Sequence, residues 1–521
     1  MEAEEVLPAL GEIHERRDDP MLYITEKTEA LSVRKTEKDK FGEVFTPLKL
    51  MKDMLTQLPP EVWRDPTKKW LDPATGIGNF PMMVYAGLMI GLADHPDFID
   101  SVVRSEHIIR NMLYMVELNP DSCTRIRTIF GSAANLWCDS FLVDRMVFPD
   151  GTTREFDVIV GNPPFNADQT HEGKKGGGSN LWPKFVEKSL DGDLLKPNGY
   201  LLFVHPALWR KPPSDRAKTL FDKMVHDNHM IYLEIHNKLD GKRDFGVQTR
   251  YDFYLIQKIR PTPDKDFTIV KAQYSEDLQH VDLSRWRFLP NHSIKLIEPL
   301  LTTTEQDYVI FSRCQYGSDR RWVSDKKDER HIYPLVHSTP LGEPRIYWSS
   351  KMNDDCKDCK RMFGVPKVIF GESGINDVIL DTKGEYGMTQ GAIGLKIPVT
   401  IDREGEGEVM KRVLESQEFH RILDAMSFSN FRIDWRMFLY IQPDFYRDPQ
   451  FESTTPFIRP SSVKKKLEEP SKTFVQIQGA RPRDKSPFEK VKRSKPESTR
   501  VTNRGGRKRK YKNSRFTRKK Y

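Results

Sequence analysis

From Trp70 to about Lys258 the chain alternates short apolar runs with stretches of helical period. The apolar runs Lys68–Leu71, Asn111–Val116, Leu136–Cys138, Phe156–Val160, Tyr200–Val204, Ile231–His236 and Tyr251–Gln257 predict seven strands. Continuous apolar runs, unlike alternating ones, belong to strands covered on both faces, so the segment reads as α/β with helices packed on a mostly parallel sheet. The first forty residues are charged and without sustained period, which predicts a loosely ordered arm over 1–40 ahead of a domain over 41–260. PTPDKD, starting at Pro261, interrupts the pattern, and the stretch that follows mixes turns with aromatic residues and shows no repeat. It reads as a second, mixed α+β domain over 261–450. Residues 459–521 are rich in Ser, Pro, Lys and Arg and poor in apolar residues, which predicts a disordered basic tail.

Charge sharpens this division. The formal net charge is +8 over 521 residues. From Arg459 onward there are 23 Lys or Arg against 5 Asp or Glu, a net of +18, which leaves 60 basic and 70 acidic residues before it, a net of −10. An acidic body with a basic arm fits a polyanionic partner. The same arm fits a nuclear import signal or a plain solvated extension, and charge density does not separate the three. No apolar run approaches the length of a membrane span, and the start MEAEEVLPALGEIHERRDD is acidic, without the features of a secretory signal. The expectation is an intracellular protein, cytoplasmic, or nuclear in a eukaryotic host. Its five cysteines are irregularly spaced and expected to be reduced.

Candidate chemistry begins at LDPATGIGNF, Leu71–Phe80, where an apolar strand end meets an acidic residue and two glycines separated by one residue. Gly76 and Gly78 permit a tight turn and let a ligand approach the backbone, although such a turn is also ordinary fold punctuation. The next run, MLYMVELNP, ends in Glu117, placed to accept the two hydroxyls of a ribose. Asp139 closes the following run, where an acid can face a cofactor adenine or simply cap a turn.

VIVGNPPF, Val158–Phe165, carries the most specific pattern. Two prolines stiffen the backbone and remove two amide donors, leaving the Pro163 carbonyl beside the Asn162 side-chain oxygen as a pair of acceptors. An exocyclic amino group presents two donors to such a pair, which draws its lone pair out of conjugation. Phe165 would stack on the ring. A base inside a duplex cannot reach a site of this kind without being extruded.

These segments in this order resemble the gamma-class amino-methyltransferases of restriction-modification systems and of related solitary and viral enzymes. FGEVFTP, Phe41–Pro47, is similar to the segment that precedes the fold in that class, with Phe45, Thr46 and Pro47 matching. LDPATGIGNF is similar to its glycine motif for S-adenosylmethionine (SAM), through Asp72, Ala74, Gly76 and Gly78. Glu117 matches the ribose acid. Asp139 matches less well, because Cys138 precedes it where the family carries a small residue. NPPF resembles the catalytic motif, assigning Asn162, Pro163, Pro164 and Phe165 to catalysis. The resemblance covers Phe41 to about Lys258 and implies a Rossmann-like class I SAM methyltransferase fold, a seven-stranded sheet with its last strand antiparallel. It implies direct transfer to the N6 amino group of adenine in double-stranded DNA after base flipping, with 261–450 as target-recognition domain and no metal. The absence of a Cys adjoining Pro argues against carbon methylation of cytosine, and Asn162 in place of Ser favours adenine by association.

Other features carry less. Lys174 and Lys175, in the glycine-rich loop after NPPF, fit phosphate contact and a solvated linker equally. His205 reads as a structural histidine. Cys356 and Cys359 form a CxxC that Cys314 and His331 would have to complete for zinc, and lone pairs of this kind are mostly incidental. Methylation of RNA or of a protein glutamine by the same fold remains open, as does a non-catalytic specificity subunit. The roughly 190 residues after the catalytic domain favour a surface spanning several base pairs, and intact motifs disfavour decay.

Overall fold

The computed structural model describes residues 8–31, 46–165, 180–212, 219–263, 265–311, 316–318, 320–352, 362–428 and 432–457. Met1–Arg459 form one compact unit; the remaining residues, Pro460–Tyr521, lie outside the described residues, so the tail expectation has no structural counterpart here.

All seven expected strands form: β1 (Trp70–Asp72), β2 (Leu113–Val116), β3 (Asn135–Trp137), β4 (Phe156–Gly161), β5 (Leu195–Pro206), β6 (His229–His236) and β7 (Tyr251–Gln257). Their spatial order is β3-β2-β1-β4-β5-β7-β6, with β7 antiparallel to both of its neighbours and β1 parallel to β2 and β4. These seven strands, with the last one antiparallel, form the sheet that the sequence resemblance implies. It is wider than expected, because β8 (Thr268–Lys271) pairs parallel with β6 and β9 (Leu278–Val281) closes the edge, giving nine strands. The turn at Pro261 that reads as a boundary in the sequence is thus followed by two further strands of the same sheet. β5 starts five residues before the expected Tyr200, since Lys196, Pro197 and Asn198 look like a turn in sequence yet Leu195 already pairs with Phe156.

Alternation distributes the apolar runs over both faces. Leu71, Tyr114, Val116, Ile159, Leu201 and Phe203 enter one core, and Trp70, Leu113, Met115, Val158, Val160 and Leu202 enter the other. The first core continues without a break into Val368, Phe370, Met410 and Phe419 of the later segment. There, two four-stranded sheets enclose a smaller core. One is β10 (Val309–Ile310), β17 (Ala392–Lys396), β14 (Lys367–Gly371) and β15 (Gly374–Asp381). The other is β11 (Val323–Ser324), β13 (Arg345–Ser349), β12 (Tyr333–Ser338) and β16 (Gly387–Met388). Ile310, Leu335, Ile369 and Met388 meet between them.

A buried ionic network ties the large sheet to this segment. Arg210, fully buried, donates to both carboxylate oxygens of Asp252 on β7 at 2.7 and 3.2 Å, to the Leu289 and Pro290 carbonyls at 3.0 Å each, and to Asn291 Oδ1 at 3.0 Å. Asn291 in turn donates to the Ser427 carbonyl at 2.8 Å.

The expectation of five reduced cysteines needs correcting. Cys123, on the first turn of the helix Pro120–Phe130, and Cys138, just past β3, form a disulfide pair with Cα atoms 6.2 Å apart. They are 15 apart in sequence, but β2 and β3 run parallel with Val116 paired to Trp137, so the start of the helix after β2 and the residue after β3 lie at the same edge of the sheet. Cys314, Cys356 and Cys359 lie outside the described residues. Among the described residues, no helix is long and apolar enough to cross a membrane and no cluster has metal-ligand composition.

Candidate active site

Strand order reverses between β1 and β4, and in open α/β sheets ligands bind beyond the carboxyl ends of the strands at such a point. Both singled-out motifs end there. After β1 the chain turns through Gly76 and Gly78, whose φ values of +56° and +97° are left-handed and favour glycine. The helix Asn79–Gly91 then starts, with Asn79 and Phe80 of its first turn lining the crevice. The Thr75 amide donates to the Val116 carbonyl at 3.0 Å, which fixes the turn to the end of β2.

Glu117, buried at the end of β2, accepts the Gly76 amide on Oε2 at 2.6 Å and the Asn119 amide on Oε1 at 2.7 Å. The carboxylate therefore shapes the glycine turn as well as facing the crevice. Asp72 plays a different part from a lining residue. Its side chain is buried beneath the turn, accepts the Ala74 amide at 3.0 Å and lies against β4, where a Cβ on Gly161 would come within 2.9 Å of Asp72 Oδ1. That close approach explains the glycine preceding Asn162. Burial, with a smaller contribution from Glu117, pushes the Asp72 carboxyl up to about 8.

One cavity joins these parts. Thr46, Ala74, Gly76, Glu117, Asp139, Asn162, Pro163, Pro164 and Phe165 all line it. Pro47, Asp72 and Gly78 do not, and Phe45 lies outside the described residues, as do Lys174 and Lys175. A larger cleft of ≈ 700 Å³ near His420 and Asp424 holds none of the motif residues, whereas the ≈ 190 Å³ cavity gathers them, so chemistry and not volume selects the site. The Asp139 carboxylate accepts the Ser140 amide on Oδ1 at 2.6 Å, and Asp139 lines the cavity.

Sequence reading passed over the apolar wall. Phe141 and Phe185 stack at 4.9 Å and line the cavity with Leu142 and Leu181. Phe141 sits two residues after Asp139, and that adjacency was the available signal. Phe245, from the helix Lys238–Phe245 between β6 and β7, meets the Phe165 ring edge to face at 5.8 Å. Its distance of 80 positions from Phe165 left no local pattern to find. His205 is fully buried, stacked on Trp182 at 4.1 Å, with its ring nitrogens 2.8 Å from the Tyr254 hydroxyl and 3.0 Å from the Pro206 carbonyl. Burial pushes it down to about 3, so it stays neutral and structural.

Residues 106–239, about a quarter of the chain, match the family described as Eco57I restriction-modification methylase. The matched segment contains Glu117, Asp139 and Asn162–Phe165 and ends just after β6. A Mycoplasma pneumoniae protein described as an uncharacterized adenine-specific methylase is 22% identical over 299 residues, covering 43% of this chain and 68% of its own. Among solved structures, the EcoKI type I M protein is 15% identical over 47% of this chain with a TM-score of 0.33, and this chain spans about half of it, 52%. MmeI, a type IIL restriction-modification enzyme solved with DNA, is 10% identical with a TM-score of 0.42 over 78% of this chain and 68% of its own.

Proposed function

We propose, from the match of residues 106–239 to the Eco57I restriction-modification methylase family, that this chain is a SAM-dependent DNA methyltransferase acting on the N6 amino group of adenine. The observation that carries the reading is the convergence of Gly76, Glu117 and Asn162–Phe165 on one cavity at the point where strand order reverses. The adenine assignment draws support from Asn162 at the first motif position and from the adenine-specific description of the Mycoplasma relative.

The residues present fit SAM. The left-handed glycine turn leaves open space where a Cβ on Gly76 would stand, Glu117 offers carboxylate oxygens for a ribose, and Asp139 with Phe141 and Leu142 supplies a polar edge and an apolar wall for an adenine. Thr46 lines the cavity as well. When bound, SAM supplies an electrophilic methyl group. The chain supplies position and electrostatics. Asn162 Oδ1 and the Pro163 carbonyl accept the two amino hydrogens of the target base, so its lone pair turns toward the methyl donor, and the same two oxygens hold the proton that the nitrogen sheds on its way to water. Phe165 stacks on the extruded base, backed by Phe245. Asp72, buried and held near neutrality, packs β1 against β4 and so sets the spacing between cofactor turn and catalytic motif.

The test is incubation of the purified chain with isotopically labelled SAM and, separately, duplex DNA, RNA and protein, followed by digestion and mass spectrometry. N6-methyladenine from DNA is the expected product. Label appearing only in RNA or in glutamine, or nowhere, would overturn the proposal.

A further inference from the structure

The small sheet β11-β13-β12 carries a feature the catalytic reading does not use. Register places Trp348 opposite Ser324 on one side and Pro334 on the other, so these three share a face. Trp322, immediately before β11, is partly buried against the smaller core, and its carbonyl accepts the Ser350 amide at 2.9 Å. The Lys327 ammonium lies 4.8 Å from the Trp348 ring centroid, and over Trp322 lie the Lys351 ammonium at 4.9 Å and the Arg320 guanidinium at 5.9 Å. Arg320, Lys327 and Lys351 are exposed, and none of them forms an ion pair among the described residues. Trp348 belongs to none of the three apolar cores.

We propose that this face, through Arg320, Lys327 and Lys351 seated on Trp322 and Trp348, grips the phosphodiester backbone of the duplex DNA whose base enters the catalytic cavity. The inference rests on the DNA methyltransferase reading. Charge chooses the occupant: the residues before Arg459 carry a net −10, yet 320–352 carry seven Lys or Arg against four Asp or Glu. One of those acids, Asp328, is already engaged by the His331 and Arg330 amides at 2.7 and 2.8 Å and by the His331 ring at 2.9 Å. The surface is a cationic island on an acidic body, and such islands meet polyanions.

The indole rings give this island its form. A cation stacked on an aromatic face is held in one direction without being neutralised. Its remaining donors point outward with less freedom to lose when a phosphate arrives. Contacts of this kind position a duplex and carry no base information, leaving sequence reading to other residues of the segment.

The experiment is a titration of the full chain with a labelled DNA duplex across a salt series, for the native sequence and for the triple variant Arg320→Gln/Lys327→Gln/Lys351→Gln. Exposed side chains are replaced, and an unchanged melting temperature and SAM affinity establish that the variant is folded. Each phosphate contact contributes about 0.9 to the slope of log affinity against log salt, so the variant is expected to bind roughly tenfold more weakly with a slope shallower by about 2 to 3. Trp348→Phe should bind DNA near normally and Trp348→Ala more weakly, since phenylalanine keeps an aromatic seat for Lys327. Identical affinity and slope in native and triple variant would overturn the proposal. So would loss of binding to poly-glutamate with duplex binding retained, which would assign the face to an acidic protein. If the native chain methylates DNA while the triple variant binds it unchanged, this surface alone is wrong; if the native chain transfers no methyl to DNA, the catalytic reading is wrong.

Discussion

The Glu117 carboxylate accepts the Gly76 amide at 2.6 Å, joining the end of β2 to the glycine turn after β1 across 41 positions of sequence. Its other oxygen holds the Asn119 amide at 2.7 Å. A residue that organises the turn while facing the ligand has a distinctive signature on mutation. Glu117→Gln retains shape but turns one acceptor into a donor that faces an amide. SAM affinity should fall by roughly ten- to a hundredfold, the equivalent of about 1.4–3 kcal/mol, with a smaller effect on kcat at saturating SAM. Calorimetric titration with SAM checks this. Affinity within twofold of native would remove Glu117 from the cofactor site.

Most of the catalytic half was legible because its determinants are local. A strand buried on both faces announces itself as an apolar run, and the turns after β1 and β4 need residue types, Gly-x-Gly and Asn-Pro-Pro, that few other contexts demand. What escaped depends on pairing between distant segments. Thr268–Lys271, with only Ile269 and Val270 apolar, is too short to reveal that it extends the sheet beside β6, and that register exists only once β6 is in place. The contact of Phe165 with Phe245 and the meeting of Cys123 with Cys138 are likewise products of the assembled sheet. Asp72 was expected to touch the cofactor as part of its motif. It does not line the cavity; the turn at Pro73 and Ala74 leaves its carboxylate on the Ala74 amide, a placement that no residue pattern distinguishes.

Asn162→Ala separates binding from chemistry. The side chain lines the cavity from the end of β4, a different strand end from the one that carries the glycine turn, so SAM affinity should stay near native. Removal of one preorganised polar partner at a reacting centre typically lowers turnover by about 10²–10³-fold. Asn162→Asp should be impaired as well, because a second negative charge is drawn into a crevice that already holds Glu117. Single-turnover methyl transfer at saturating SAM and DNA measures both. Native turnover in Asn162→Ala would dismiss the amino-clamp role.

Asp72 predicts a pH dependence with a defined sign. Desolvation raises its carboxyl to about 8 in the folded chain, against about 3.9 for an unperturbed Asp. Between those values the folded state keeps a proton that the unfolded chain has released. The stability Asp72 contributes is therefore full below pH 4 and declines as pH rises toward 8, by at most about 1.4 kcal/mol per unit. Asp72→Asn removes the titration while keeping an acceptor for the Ala74 amide. Its melting temperature relative to native should climb steadily from pH 5 to pH 8. A difference that is flat over that range would mean Asp72 is ionised in the folded protein.

The Arg210–Asp252 pair makes the last prediction, and it concerns the junction between the large sheet and the later segment. Both side chains are fully buried, and Trp209 adds a donor to Asp252 Oδ2 at 2.9 Å. Burial alone would raise the Asp252 carboxyl further; the adjacent Arg210 guanidinium opposes that shift without cancelling it. Arg210→Met removes the cation paired with Asp252 and takes the donor from the Leu289 and Pro290 carbonyls and Asn291 Oδ1. Breaking a buried pair from one side destabilises by about 3–5 kcal/mol, whereas replacing both members with apolar residues of similar volume is far milder. Urea unfolding should accordingly show Arg210→Met well below native and Arg210→Met/Asp252→Leu partly recovered, with the carbonyls at 289 and 290 accounting for the remaining deficit. A single variant that unfolds within 1 kcal/mol of native would mean that water reaches this network and that the junction between the sheet and residues 289–291 is held by packing alone.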